Sequence, residues 1–169
     1  MPAGFFMPPS PDSHTLRLTS TVQSAQLVRM TLEEKKAVLV EELTLFPDYS
    51  ELLEHVMSRG KNAGNLPDDL RIENFEVKGC VAKLWLVPEF REGRCYFSPD
   101  AERGAFISLG VATIVCEFYS GAKPEEIVAT DMEFLRGHLD LALTQNRRNG
   151  LSQVIKSIQH FAQSCLANS

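Results

Sequence analysis

Four side chains in this 169-residue chain are candidates for nucleophilic or redox chemistry: the thiols of Cys80, Cys95, Cys116 and Cys165. Cys80 differs from the others in its neighbours. It follows Gly79, between two short runs of strand-forming residues, and is bracketed by Lys78 and Lys83. Glycine admits backbone conformations closed to other residues and keeps bulk away from the thiol. A nearby ammonium favours the thiolate, which is the nucleophilic form of cysteine. The pattern predicts a thiol at an exposed, hairpin-like tip, able to reach into a partner's cleft. The same features suit a bystander cysteine in a turn, and spacing alone leaves both readings open. Cys95 stands beside Tyr96 and Phe97, Cys116 lies in an apolar run, and Cys165 lies on the apolar face of the last segment. These three read as small core residues, the usual place of a free cysteine.

Other chemistries find little support in the spacing. No two cysteines form a C-x-x-C and no histidine stands at zinc-ligand distance from one, so no metal site is expected. No P-loop, G-x-G-x-x-G, G-x-S-x-G or H-E-x-x-H motif occurs. His14, His55, His138 and His160 show no pairing with a nucleophile, and His160 reads as structural. Arg147 and Arg148 precede Asn149-Gly150-Leu151 at the entry to the last helix. Two guanidinium groups there oppose the positive end of the helix dipole. They read either as a solvated loop pair or as an anchor for an anionic group or a partner's carboxylate, through the bidentate fork.

The elements that must position these residues follow from periodicity. Thr31 with Glu34 predicts a capping box, followed by Leu32, Leu39, Val40 and Leu43 at helical spacing. Pro47 ends that helix. Asp48 with Glu51 begins a second one, which carries Leu52, Leu53, Val56 and Met57 and stops at Gly60, and the two are expected to pair on one core. Three short strands are expected next, at Phe75–Lys78, Leu84–Val87 and Cys95–Phe97, with a turn over 88–93. Residues 105–119 are too long and too apolar for a strand and read as a buried helix. A short helix follows Lys123-Pro124, and another follows Asp131. A final helix from near Asn149 presents Leu151, Val154, Ile155, Ile158, Phe161, Ala162 and Cys165 on one face. The fold class is α+β: a small antiparallel three-stranded sheet packed against several helices.

Composition bounds the partners. There are 17 basic and 22 acidic residues, a formal net charge of −5, with 44% hydrophobic and 23% charged residues. A chain of this size buries a core without staples. An acidic balance lacks the footprint of a nucleic-acid or anionic-membrane binder, so neither partner is expected. The longest uncharged stretch, Gly104 to Cys116, is too short to span a bilayer. Residues 1–30 are Pro- and Ser-rich and acid-poor, and read as a poorly structured tail ahead of a domain over 31–169. Residues 1–10 lack a signal-peptide pattern, so reduced thiols in the cytoplasm are expected. The tail keeps an organellar transit segment open, and Met30 before the first helix also suits a misassigned upstream start.

One family fits this order. The segment Val77-Lys78-Gly79-Cys80-Val81-Ala82-Lys83-Leu84-Trp85-Leu86 resembles the active-site signature of the SufE family, the sulfur-acceptor proteins of iron–sulfur cluster biogenesis. The resemblance extends upstream to Leu45-Phe46-Pro47-Asp48-Tyr49 and Leu66-Pro67. Downstream it takes in Gly110-Val111-Ala112, Pro124-Glu125-Glu126-Ile127 and Arg147-Arg148-Asn149-Gly150-Leu151. It implies an α+β fold like that of IscU-type scaffolds, with the cysteine on a loop at the sheet edge. It implies a sulfur carrier and desulfurase activator rather than an independent enzyme. Cys80 would receive a sulfane sulfur from the persulfide of a cysteine desulfurase and pass it to an iron–sulfur scaffold. The chain would bind no cofactor, since pyridoxal phosphate belongs to the desulfurase, and Arg147 matches a family arginine at that interface. A SufS-type desulfurase is the expected partner and a CsdA-type enzyme the alternative. A CsdE-like relay to another pathway, an adaptor that only activates the desulfurase, and a cluster scaffold are the rival readings. Two departures stand out. Ala82 occupies a position where the family often has serine, and Ser98-Pro99-Asp100-Ala101 is followed by Glu102-Arg103-Gly104, so no acidic site residue is carried over.

Overall fold

The computed structural model describes residues 26, 27 and 29–169, so the tail expected over 1–30 lies largely outside the described residues. Helix α1 spans Leu32–Thr44 and begins in the expected capping box: the Glu34 N–H donates to Thr31 Oγ1 at 3.2 Å and the Thr31 N–H donates to Glu34 Oε2 at 2.8 Å. Helix α2 spans Tyr49–Lys61, and Asp48 accepts from the Glu51 N–H at 3.0 Å. A connecting stretch with two single 3-10 turns, Asp68–Leu70 and Glu73–Phe75, leads to strands β1 (Leu84–Arg91) and β2 (Arg94–Ala101). Helices α3 (Phe106–Tyr119), α4 (Pro124–Ala129), α5 (Glu133–Leu139) and α6 (Gln145–Ala167) follow.

Helix α3 is the centre of the molecule. From Leu109 to Tyr119 every residue but Glu117 is buried, because α2, β2 and α6 surround the helix. That surrounding is why its sequence has no polar face. The first two helices do not pair chiefly with each other, as their spacing suggested. The apolar stripe of α2 lies along α3, while α1 reaches α3 and α5. The crossing of α2 and α3 is tight at Gly60 and Gly110: a methyl on Gly60 would run into the Phe106 carbonyl, and one on Gly110 into the Val56 carbonyl. The ammonium of Lys35, on α1, is buried against the last turn of α3 and donates to the carbonyls of Glu117 (3.2 Å), Phe118 (3.1 Å) and Ser120 (2.6 Å). It satisfies carbonyls that the helix end leaves free and sits at the negative end of the dipole.

The sheet corrects the three-strand expectation: it has two strands, antiparallel, in the register Leu84↔Ala101 to Arg91↔Arg94. The first expected strand shrinks to a single bridge, Glu76 to Trp85, because the 3-10 turn at Glu73–Phe75 precedes it and Gly79 (φ +86°) turns the chain just after it. The turn expected over 88–93 shrinks to Glu92-Gly93. Their positive φ values, 51° and 75°, fit a two-residue type I′ hairpin. Counting from that turn, Pro88 and Pro99 both fall at positions whose N–H would point away from the partner strand. Neither proline therefore costs a ladder bond. The buried Asp100, 1% exposed, fastens the connecting stretch to β2. Its Oδ2 accepts from Arg71 Nε (2.8 Å), from Arg71 Nη2 (2.7 Å) and from the Leu66 N–H (2.9 Å).

Candidate functional site

Cys80 lies in a loop, Lys78–Lys83, whose two ends are fastened. At one end the Val77 N–H donates to the Leu84 carbonyl at 2.8 Å. At the other, the Lys83 N–H donates to Glu102 Oε1 at 3.0 Å, and the Glu102 N–H returns a bond to the Lys83 carbonyl at 2.9 Å. Between these clamps the loop leans on α6. Gly79 faces the side chain of Gln153 so closely that an added Cβ would stand 3.3 Å from it. The Cys80 thiol reaches the Gly150 carbonyl at 3.9 Å, a weak sulfur donor contact.

The tip of this loop is Val81, 77% exposed, rather than Cys80. The cysteine is half-buried and turned toward α6, and burial pushes its thiol pKa up from the ordinary value. The basic bracket expected from the sequence does not act on it. The Lys78 ammonium instead lies 3.5 Å from Glu73 and 3.4 Å from Glu76, and Lys83 is exposed, with its backbone held by Glu102.

Cys80 lines a cleft of about 390 Å³ between the loop, the start of α3 and the start of α6. Its floor is apolar: Leu84, Val111, Leu151 and Val154 are all buried. Its mouth holds Thr144, Asn146 and Arg147. Arg147 belongs to the first turn of α6 and not to a loop ahead of it, since the helix begins at Gln145 behind an extended Thr144. The apolar stripe starts only at Leu151, which hid that first turn. Among the described residues no carboxylate pairs with Arg147. The structure thus brings Cys80 and Arg147, 67 positions apart, to one cleft. It also gives roles to two residues to which the sequence assigned none. Glu102 fastens the loop, and Gly150 stands against the sulfur.

The other thiols are elsewhere. Cys95 and Cys116 are buried and Cys165 is half-buried. Burial and the adjacent Cys165 thiol push Cys95 up to about 12, and complete burial pushes Cys116 up as well. Among the described residues no three His, Cys, Asp or Glu side chains gather as a metal site, and no helix is long and apolar enough to cross a membrane.

These features define a class of protein: a small α+β domain that holds one cysteine on a doubly fastened loop, above a cleft that also contains an arginine. Residues 37–162 match the SufE family model, described as an Fe–S metabolism associated domain, and the chain belongs to that family. It is similar to an uncharacterized SufE-like protein of Synechocystis, with 24% identity over 144 residues, 85% of this chain and 89% of that one. It is also similar to the cysteine desulfuration protein SufE of Plasmodium falciparum, at 25% identity over 82% of this chain and 57% of the relative. A third relative is SufE-like protein 1, chloroplastic/mitochondrial, of Arabidopsis thaliana, at 29% identity over 78% of this chain and 36% of the relative. The solution structure of a hypothetical protein from Thermus thermophilus shares the fold, with a TM-score of 0.66 at 18% identity over 82% of this chain and 99% of that one.

Proposed function

We propose that this protein is a sulfur acceptor for a cysteine desulfurase and carries a persulfide on Cys80. The observation that supports this most is the pairing of Cys80 with Arg147 in one cleft, in a chain of the SufE family. In the reaction the Cys80 thiolate attacks the outer sulfur of the donor's persulfide. A sulfur–sulfur bond forms at Cys80, the donor's sulfur–sulfur bond breaks, and the donor cysteine leaves as a thiolate that takes up a proton. The transferred sulfur keeps its oxidation state, so no external oxidant or reductant is needed. Pyridoxal phosphate, on the partner, generates the donor persulfide.

The resting thiol is half-buried and its pKa is raised, so attack is slow in the free chain and speeds up when a docking partner lifts the loop off α6. Val81 at the tip and Arg147 at the cleft mouth are the side chains placed to meet that partner. Arg147 offers a bidentate fork to a carboxylate. A SufS-type desulfurase is the expected donor, a CsdA-type enzyme the alternative, and an iron–sulfur scaffold the expected recipient. The compartment expected is the cytoplasm, with an organelle as the alternative.

The experiment is transfer from a desulfurase supplied with isotopically labelled cysteine. Cys80→Ala should lose label on this chain, and retention at the wild-type level would show that Cys80 is not the acceptor. Stimulation of the desulfurase that survives in the same variant would favour an adaptor role. Arg147→Ala should weaken stimulation while leaving the thermal midpoint near that of the wild type.

A further inference from the structure

Gly150 occupies the second turn of α6, inside a helix, where glycine is less stable than alanine. Nothing in the fold requires glycine there. Its backbone is not in the left-handed region, and no neighbouring main chain presses on it. A Cβ added to Gly150 would find a single heavy atom within 4 Å, Cys80 Sγ at 3.6 Å. Gly60 and Gly110 differ, because backbone atoms fill the space where their side chains would stand. Beyond its own helix, the space at Gly150 is bounded within 4 Å by that sulfur alone, and both residues line the same cleft.

We propose that Gly150 keeps room for the outer sulfur of a persulfide on Cys80, making it a positioning residue for the loaded protein and not for the fold. The inference rests on the reading of Cys80 as acceptor. The bare thiol tolerates a methyl at 3.6 Å, an ordinary van der Waals separation. A persulfide places a second sulfur about 2 Å beyond the first. On the cleft side next to α6 that sulfur and an alanine methyl would overlap. Loading forms the Cys80 sulfur–sulfur bond, breaks the donor's, and returns the donor as its thiol, so the only new volume on this chain is one sulfur atom.

The test uses the full chain and cysteine persulfide as a small donor, so that docking of a desulfurase plays no part. Wild type, Gly150→Ala and Cys80→Ala are followed by intact-protein mass spectrometry for the gain of one sulfur. Thermal midpoints and the ultraviolet titration of the Cys80 thiolate are read alongside. Wild type should load and Cys80→Ala should not. Gly150→Ala should load about tenfold less, the effect expected of overpacking by one methyl. Its thermal midpoint should equal or exceed that of the wild type, and its thiolate titration should be unchanged. Equal loading of Gly150→Ala and wild type overturns the proposal and leaves the acceptor reading intact. Lost loading together with a shifted titration also overturns it, because the loop itself has then moved. Wild type that fails to load, or Cys80→Ala that loads equally, overturns the acceptor reading and this proposal with it. Gly150→Ser fills the same space and gives the same readout if the alanine variant folds poorly.

Discussion

Burial raises the cost of the Cys80 thiolate, and the nearest expected cation, Lys78, is held by Glu73 and Glu76 instead. At rest the free chain should therefore be a slow nucleophile. Alkylation of Cys80 followed against pH should show a midpoint above the value of about 8.5 typical of free cysteine. Lys78→Ala should leave that midpoint where it is; a clear rise would show that the ammonium does reach the thiolate. At this scale the sequence was informative about identity and misleading about environment. Gly79 and Cys80 announced a loop cysteine. The direction of the thiol, inward under Val81, depends on Gly150 and Gln153, which approach from a helix about 70 positions later.

Among the elements, the crossing of α2 and α3 sets the near wall of the cleft, because Phe106, whose carbonyl lies against Gly60, also lines it. Gly110→Ala would drive a methyl into the Val56 carbonyl and should cost about 3 kcal/mol, the upper range for overpacking. The loss is measurable by denaturant unfolding, and sulfur transfer should fall with it. A cost below about 1 kcal/mol would mean that the helices part easily. The helices themselves were largely legible: the Thr31–Glu34 box, the apolar run of α3 and the stripe of α6 are local signals. The third strand was not, since alternation at Phe75–Lys78 suits a strand but a single bridge is all that the neighbouring turns permit. The Glu102 clamp was equally hidden, as it joins residues 19 apart across a hairpin whose register no single segment reveals.

For the molecule as a whole, Lys35 links α1 to the central helix and links stability to pH. Burial holds its pKa down to about 8, against opposing attraction from Glu117 and Glu126. Below pH 8 the folded and unfolded chains are both protonated there, and the full cost of burying the charge is present. Between about 8 and the unfolded value of about 10.4 the folded chain gives up the proton while the unfolded chain keeps it, so this group's contribution to stability rises with pH. Unfolding free energies of wild type and Lys35→Met should therefore diverge in favour of the wild type as pH climbs through that window. A constant difference would show that Lys35 does not titrate in the fold.

The two clamps on the Cys80 loop also define a tether. Cys80 is three residues from Val77 and three from Lys83, so with both ends held its Cα travels no further than about 11 Å from either anchor even with the chain fully drawn out, and its sulfur only a side-chain length more. A cysteine on so short a leash does not search for its donor. The delivering sulfur must be carried almost to the surface of this domain, and the distance between the two proteins' anchoring points, more than the flexibility of this loop, decides which donors are within range.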